Sequence, residues 1–306
     1  MKLPVLLVAF NRPELVKKRL NEFSELEIPN LYITVDGGKD DQGKKVTAEI
    51  NKIIEEFENR IPIKKRIRES NVGLAKNVTE GINWVLNDYE DCLIIEDDIS
   101  INKFFYYSAR EMWIRNRNKF ATIGGFGSLG IPKLLTYLPT PNMWRVTPYF
   151  SAWGWVVSRE TWELYNLKIT KEDMDNYLPK SRLWNQLSAY QKSKFLKRFN
   201  RVEENPVFTW DFQMQFLCFR WDLENLLPII RVNENEGFND SRSSNTKTRR
   251  PRWILGKSMN KGLFSTRLTP KYIGQLLQII DRNTWVGLKK PFKEIFANLK
   301  IGGFFN

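Results

Sequence analysis

The chain has 306 residues, 42% of them hydrophobic, and a formal net charge of +13. It contains no histidine, which excludes a Ser-His-Asp triad, imidazole zinc ligands and a histidine general base. Proton transfer therefore falls to carboxylates, lysine, tyrosine or water. No apolar run reaches the length of a bilayer span, and the apolar run at 3–10 lacks the cleavage site of a signal peptide.

The positive charge is concentrated at the end of the chain. From Arg242 onward there are 14 basic and two acidic residues, a balance of +12, whereas residues 1–241 carry +1. Such a segment suits nucleic acid, anionic lipid or a phosphorylated ligand, or is a solvated basic surface. Cys92 and Cys218 lie in apolar segments, which predicts core thiols and a reducing cytoplasm.

The first part of the chain alternates between strand and helix patterns. Strands are predicted at 3–10, 31–35, 61–67 and 93–95, and each is followed by a helical pattern of apolar residues. This alternation predicts an α/β fold with a parallel sheet and right-handed crossovers. In such sheets ligands bind beyond the carboxyl ends of the strands.

Polar residues follow three of these predicted strands: Asn11-Arg12, Asp36-Gly37-Gly38 and Glu96-Asp97-Asp98. Adjacent carboxylates repel each other, and a divalent cation such as Mg²⁺ or Mn²⁺ relieves that repulsion. The alternative is an acidic turn, or an acidic cap for the helix that begins near Asn102. Neither a Walker loop nor a GxGxxG fingerprint follows the first strand, which argues against a P-loop NTPase or a dinucleotide enzyme.

The second part of the chain is less regular. Residues 149–157 predict a turn and a strand with two tryptophans, and 170–205 a polar helical insertion. A helix-like segment begins with 208–212, and 226–232 is a strand candidate. The pattern predicts a mobile loop over 237–252 and amphipathic character over 271–300.

Six motifs give the chain a family resemblance: VAFNRPE, ITVDGG, NVGLAKN, IIEDDI, FSAWGWVVSRETW and TWDFQ. In this order, over about 4–240, they resemble GT-A glycosyltransferases of the N-acetylglucosaminyltransferase I type and their bacterial relatives in surface-polysaccharide synthesis. The resemblance implies a GT-A fold, a Rossmann-like, mostly parallel sheet flanked by helices. It also implies a catalytic domain at 1–241, with a nucleotide-binding half at about 1–120 and an acceptor half at about 121–241. A basic loop and amphipathic extension would fill 242–306.

The resemblance also implies donor-side roles. Asp98 would ligate the metal, with Glu96 and Asp97 toward sugar and ribose, while Arg12, Asp36 and Lys76 would contact the nucleotide. A cation there neutralises the charge that builds up on a departing diphosphate. The alternatives are a surface arginine at a helix start, an Asp-Gly turn and a solvated helix lysine.

Asp211 is the candidate general base, because in the similar enzymes an Asp beside a tryptophan takes the proton of the acceptor hydroxyl. Its neighbours Trp210 and Phe212 would raise its pKa by excluding water. Direct attack by the acceptor then inverts the anomeric centre. The alternative is an N-cap for the following helix.

The segment Trp153-Gly154-Trp155 is predicted to shape the sugar pocket, although aromatic residues at this point are equally consistent with a core position. Bacterial relatives often carry a histidine near the end of the domain, where this chain has Asn245. The metal would then be held by Asp98, phosphates and water alone. Arg242 and the basic residues after it could instead close over the diphosphate as a lid; those residues are Lys247, Arg249 and Arg250.

The expected function is an inverting, metal-assisted glycosyltransferase with a nucleotide-sugar donor, expected to be UDP-linked, and a glycan or lipid-linked acceptor. The basic C-terminal segment would hold it on an anionic membrane, at the cytoplasmic face of the cell membrane. One alternative is a sugar-1-phosphate nucleotidyltransferase, which expects a Gly-rich loop with a lysine after the first strand. Another is a basic nucleic-acid-binding protein, against which the neutral charge of residues 1–241 argues, so nucleic acid is not expected.

Overall fold

The computed structural model describes residues 3–127, 144–238 and 240–242, together with the backbone of 140–141 and 262–263. The predicted loop and amphipathic extension over 242–306 therefore lie outside the described residues, apart from Arg242 and one two-residue strand. Asn245, Lys247, Arg249 and Arg250 also lie outside them.

The fold is α/β, as predicted, and its centre is an eight-stranded sheet with the order β3-β2-β1-β4-β8-β5-β9-β7. The strands are β1 (Val5–Ala9), β2 (Leu31–Val35), β3 (Ile63–Ile67), β4 (Asp91–Glu96), β5 (Ile123–Gly124), β6 (Thr140–Pro141), β7 (Trp144–Thr147), β8 (Trp155–Ser158), β9 (Asn225–Pro228) and β10 (Gly262–Leu263). Strands β6 and β10 form a separate parallel pair.

Helices cover this sheet. They are α1 (Pro13–Ser24), α2 (Asp41–Glu55), α3 (Leu74–Asp88), α4 (Lys103–Asn116), α5 (Arg159–Glu163), α6 (Lys171–Tyr177), α7 (Arg182–Asn185), α8 (Ala189–Glu204) and α9 (Asp211–Arg220). No helix in the described parts of the chain is both long enough and apolar enough to cross a membrane.

The parallel half of the sheet consists of β3, β2, β1 and β4. Strands β1 and β2 are buried at every position, as expected for strands covered by helices on both faces. The chain proceeds from β1 outward to β3 and then returns to place β4 on the other side of β1. This reversal of strand order leaves a crevice at the carboxyl ends of β1 and β4, where α/β proteins bind ligands.

The other half of the sheet is mixed and joins the parallel half through β8. Strand β8 runs antiparallel to β4, with Trp155 opposite Ile94. Strand β9 ends at Pro228, so the strand expected at 226–232 is shorter than predicted. Helices α6, α7 and α8 lie in the predicted 170–205 segment, and their apolar side chains form a separate cluster that packs on Phe216 and Phe219 of α9.

Both cysteines are buried and free, as the sequence predicts for core thiols. Cys92 belongs to β4 and Cys218 to α9. Burial raises the pKa of Cys218 to about 12 and raises the pKa of Cys92 as well.

After β9 the chain returns to the ends of β4 and α1. The backbone N–H of Glu236 donates to the carbonyl of Asp98 at 2.7 Å, and that of Ser100 donates to the carbonyl of Glu234 at 2.9 Å. The carboxylate of Glu236 also pairs with the fully buried Arg19 at 3.0 Å. Asn235 and Arg242 of this returning segment lie at the mouth of the crevice.

Candidate active site

A cavity of about 240 Å³ lies at the carboxyl ends of β1, β2 and β4. It brings together eight of the residues singled out in the sequence: Arg12, Asp36, Glu96, Asp97, Asp98, Trp153, Asp211 and Arg242. The acidic residues after β4 and the first residue of α9 therefore face one space, although more than a hundred residues separate them.

Arg12 is the counter-charge of the acidic cluster. Its Nη1 donates to Oδ2 of Asp98 at 2.9 Å, and its Nη2 forms an ion pair with Asp97. Burial alone would lower the pKa of Arg12, but Asp97 and Asp98 together raise it. The backbone N–H of Phe10 also donates to Asp97, at 3.3 Å, which fixes this carboxylate against the end of β1.

One arginine does not neutralise three acids. Burial, together with repulsion from Asp98, Asp97 and Asp211, raises the pKa of Glu96 to about 8. Burial raises the pKa of Asp97 to about 7, against the opposing effect of Arg12. The cluster therefore holds an excess of acidic groups that favours a cation or a proton at neutral pH. Asp211, which contributes to the raised pKa of Glu96, lines the same cavity.

Asp98 provides the test of whether this cluster suits a metal ion. Its Oδ2 accepts the hydrogen bond from Arg12, while its buried Oδ1 accepts no hydrogen bond from the described residues. A buried carboxylate oxygen without a partner is costly, and a hard cation such as Mn²⁺ or Mg²⁺ would satisfy it. Within the described ranges, no three acidic or cysteine side chains form a metal-binding group. The residues thus fit a cation held by one protein oxygen, with other ligands from donor and water.

Asp36 holds a loop as well as lining the cavity. Its Oδ1 accepts from the N–H groups of Val72 and Gly37 at 2.8 and 2.9 Å. Its Oδ2 accepts from Asn71 Nδ2 at 2.9 Å and from Gly73 N at 3.0 Å. Because an ionised carboxylate has about four acceptor sites, a nucleotide base would have to replace one of these bonds. The structure therefore shows Asp36 organising the NVGLAKN turn, and a base contact stays a prediction.

Asp211 is the first residue of α9, and one of its two oxygens is fixed by neighbours. The hydroxyl of Thr209 and the backbone N–H of Phe212 both donate to Oδ1, the latter at 3.0 Å. Among the described residues, Oδ2 accepts no hydrogen bond. Burial raises the pKa of Asp211, although the bond from Thr209 and the charge of Arg198 oppose that shift. A partly exposed carboxylate with a raised pKa and one free oxygen is suited to accept a proton.

A stack of two tryptophans sets the position of Asp211. Trp210, only 2% exposed, lies against Trp155 of β8 with ring centroids 5.4 Å apart and planes inclined by 16°. The hydroxyl of Tyr165 donates to the carbonyl of Trp210 at 3.1 Å. Since β8 pairs with β4, this stack ties the start of α9 to the strand that carries the acidic cluster. Trp155 is fully buried and does not line the cavity, so its observed place is the core beneath the site.

Gly154 allows the chain to turn between its two tryptophans. Its φ is +73°, and a Cβ there would lie 2.5 Å from Nδ2 of Asn233 and 2.9 Å from Ile95. Glycine meets both requirements without strain. The turn directs Trp153 into the cavity and Trp155 into the sheet, so Gly154 shapes the pocket through its backbone without lining it.

Two predicted cations occupy different surroundings. Lys76 does not line the cavity; its side chain is 55% exposed and pairs with Glu80 one turn further along α3, at 3.7 Å. Arg242 does line the cavity, and its guanidinium bonds to Glu14 of α1 and to Asp240. The bond with Glu14 is the largest cause of the raised pKa of Arg242. Arg242 therefore joins the returning chain to the start of α1 at the cavity rim.

The residues that line the cavity without a role assigned from the sequence include Lys39, Asn71, Thr209 and Asn235. Lys39 follows the ITVDGG motif and lies 5.9 Å from the ring centroid of Phe10. Asn71 and Thr209 belong to motifs quoted above, NVGLAKN and TWDFQ, so proximity to those motifs was a usable signal. Asn235 follows β9 and reaches the site because the chain after β9 bonds to the end of β4. No local sequence pattern predicts this contact.

No family model matches the chain, and no curated protein matches it. Among solved structures, S. aureus TarS 1-349 is similar with 16% identity and a TM-score of 0.41, over 75% of this chain and 58% of that one. The mannosyltransferase PcManGT from Pyrobaculum calidifontis, in complex with GDP-Man and Mn²⁺, is similar with 11% identity and a TM-score of 0.39, over 71% and 69% of the two chains.

A third similar structure is glucosyl-3-phosphoglycerate synthase from Mycobacterium tuberculosis, with 13% identity and a TM-score of 0.31, over 52% of this chain and 57% of that one. It is a complex with Mn²⁺, UDP and glucosyl-3-phosphoglycerate. All these TM-scores lie below 0.5, so the roles of the site residues rest on the geometry of this chain.

Proposed function

We propose that the chain is an inverting, metal-assisted glycosyltransferase that takes a sugar from a nucleotide-sugar donor, with UDP as the expected nucleotide. The observation that carries this proposal is the shared cavity. It contains an under-neutralised acidic cluster with a free oxygen on Asp98. In the same space lies Asp211, a carboxylate with a raised pKa and one free oxygen. The first suits a metal-bound diphosphate and the second suits activation of an alcohol.

On the donor side, Asp98 would hold Mn²⁺ or Mg²⁺ through its Oδ1. The ion would act as a Lewis acid that neutralises the charge of the leaving diphosphate. Arg12 keeps the adjacent carboxylates from repelling the diphosphate by balancing part of their charge. Lys39 and Arg242 add positive charge at the cavity wall, where phosphate oxygens would lie.

On the acceptor side, Asp211 would receive the proton of the attacking hydroxyl at Oδ2. Thr209 and Phe212 hold Oδ1, so the free oxygen keeps one orientation toward the cavity. A fixed base near its working pH is more effective than a mobile one. Direct attack of the alcohol inverts the anomeric centre, and Trp153 would contact the transferred hexosyl or N-acetylhexosaminyl ring.

We also place this activity in surface-polysaccharide synthesis, with a glycan or lipid-linked acceptor. The basic segment after residue 241 would hold the enzyme at the inner face of the cell membrane. These finer assignments follow from the family resemblance of the motifs and from the charge distribution of the sequence.

Titration calorimetry with UDP, with and without Mn²⁺, tests the metal assignment, and release of UDP from a panel of UDP-sugars tests the reaction. Mn²⁺ should tighten UDP binding to the unaltered protein, and Asp98→Asn should lose this gain because it replaces the free oxygen and a negative charge. Asp41→Asn, on an exposed helix start, is the charge-matched control and should bind normally. Retention of the full Mn²⁺ effect in Asp98→Asn would contradict the assignment.

A further inference from the structure

Beside the cavity, the outer face of α8 forms a broad groove of about 870 Å³ that the proposed donor site does not use. Four cations line it: Lys194, Lys197, Arg198 and Arg201. They are spaced at i, i+3, i+4 and i+7, which puts them on one side of the helix. The opposite side carries Phe195 and Phe199 and is buried in the helical cluster.

Three of these four cations have no carboxylate partner in the described part of the chain. Glu204, near the end of α8, is the one acid among the described residues that line it. Among the described residues, Lys194, Lys197 and Arg201 form no ion pair with a carboxylate. A solvent-exposed helix face without a binding role more commonly carries both acidic and basic residues. Three cations without a carboxylate partner, spread over about 10 Å of helix, suit a ligand with more than one negative group.

The groove lies next to the first turn of α9, the helix that begins with the proposed base. Phe212, which follows Asp211 in the chain, lines the groove, and the guanidinium of Arg198 lies 5.1 Å from its ring centroid. Arg198 is also the cation whose charge opposes the raised pKa of Asp211. Phe208 lies 6.1 Å from Phe212 and carries the guanidinium of Arg201 at 4.3 Å. Aromatic faces for sugar rings and cations for anions thus occur together, next to Asp211.

We propose that this groove binds an acceptor glycan that carries phosphate groups, and that it delivers the acceptor hydroxyl to Asp211. The inference rests on the proposed function, because it names the acceptor class of the same active site. The groove includes Phe212, the neighbour of Asp211, and its aromatic rings beside cations favour a sugar chain over a lipid surface. Its length admits more than one residue of a glycan, so the phosphate can lie away from the reacting sugar.

The test uses a fluorescein-labelled phosphorylated mannooligosaccharide, its dephosphorylated counterpart and the full-length protein. Fluorescence anisotropy at low ionic strength should show that the phosphorylated probe binds more tightly. The triple variant Lys194→Gln, Lys197→Gln, Arg201→Gln should weaken that binding by at least about fivefold, since three exposed charge contacts are lost. Added salt should weaken binding to the unaltered protein.

A second triple variant, Lys45→Gln, Lys52→Gln, Lys119→Gln, removes the same charge from exposed positions outside the groove, and it should bind the probe almost normally. Equal loss in both variants, or no binding by the unaltered protein, would overturn the inference. Loss of binding to phosphatidylglycerol vesicles in the groove variant alone, with the oligosaccharide unaffected, would make this face a membrane contact and also overturn it.

Binding of UDP with Mn²⁺, measured on the same samples, separates the two proposals. The groove residues do not line the donor cavity, so both triple variants should retain UDP binding. Intact UDP binding without oligosaccharide binding would reject the groove assignment alone. Absence of both UDP binding and donor turnover in the unaltered protein would reject the proposed function.

Discussion

Asp211→Asn gives the sharpest test of the proposed reaction. The Asn side chain has nearly the shape of Asp, and its Oδ1 can still accept from Thr209 and from the N–H of Phe212. The group that replaces Oδ2 is an amide NH₂, which cannot receive a proton at working pH. The substitution therefore removes the base while it leaves the donor side of the cavity intact.

The expected loss is large because a positioned general base contributes about a hundredfold to ten-thousandfold, or roughly 2.7–5.4 kcal/mol of transition-state stabilisation. UDP release with acceptor present should fall by that factor, while the Kd for UDP with Mn²⁺ should stay within about twofold, because Asp211 belongs to the acceptor side. Turnover within a few-fold of the unaltered enzyme would refute the base assignment.

The same variant should be more stable than the unaltered protein, although its turnover falls. Burial raises the pKa of Asp211 in the folded state, so the protonated carboxyl group stabilises the fold at low pH. This stabilisation is lost as the pH rises through the folded-state pKa. At neutral pH the ionised carboxylate costs stability, and Asp211→Asn should raise Tm. A gain of about 1 kcal/mol corresponds to roughly 2–4 °C in Tm for a protein near this size. A lower Tm would show that the variant had damaged the fold and that its rate could not be interpreted.

Asp222→Asn is the matched control for this experiment. Asp222 accepts bonds from the N–H groups of Leu183 and Arg182 and from the hydroxyl of Ser181, at 2.8–3.0 Å. Although burial opposes them, these bonds lower the pKa of Asp222, so its stabilising effect is present above its unfolded pKa and is lost on acidification. At neutral pH the control should lower Tm slightly and leave turnover unchanged.

Three further perturbations test other parts of the site. Because the pKa of Asp211 is raised, kcat/KM should fall on acidification, with a midpoint above the pKa of about 3.9 of an exposed aspartate. A kcat/KM that stays constant down to and below pH ~3.9 would contradict the base assignment. Trp155→Phe should cost about 1–3 kcal/mol of stability and lower kcat more than it lowers UDP affinity. Trp184→Phe, in the separate helical cluster, should lower stability without changing kcat. Equal kinetic effects of the two substitutions would exclude a specific role for the Trp155–Trp210 stack. Lys39→Gln should weaken UDP binding about two- to fivefold and Lys45→Gln should not, and equal affinities by calorimetry would remove Lys39 from the donor site.

Much of the parallel half of the fold could be predicted, because each strand there is a short apolar run followed by an amphipathic helix. The burial of β1 and β2 on both faces produces such runs, and β2 occupies the predicted residues 31–35. Polar residues at the ends of these strands could also be grouped in advance, since parallel strands present their carboxyl ends at one edge. The common position of Arg12, Asp36 and Asp98 in the cavity follows from that rule.

The sequence could not show where each of these side chains points or which groups it contacts. Nothing local distinguishes Trp153, which faces the cavity, from Trp155, which lies in the core; the positive φ of Gly154 separates them. Three of the four hydrogen bonds to Asp36 come from a turn more than thirty residues away. The pairing of Arg12 with the acidic cluster spans 86 positions, so the charge balance of the site is a property of the folded chain.

The two buried thiols have a practical consequence for following how this cavity forms. Cys92 lies in the strand that leads to Asp98, and Cys218 lies in the helix that begins with Asp211. Since burial keeps both in the thiol form, a pulse of an alkylating reagent marks each cysteine only when its own element opens. Peptide mapping of the two marks would therefore time the opening of the donor and acceptor sides of the cavity separately, with no engineered label.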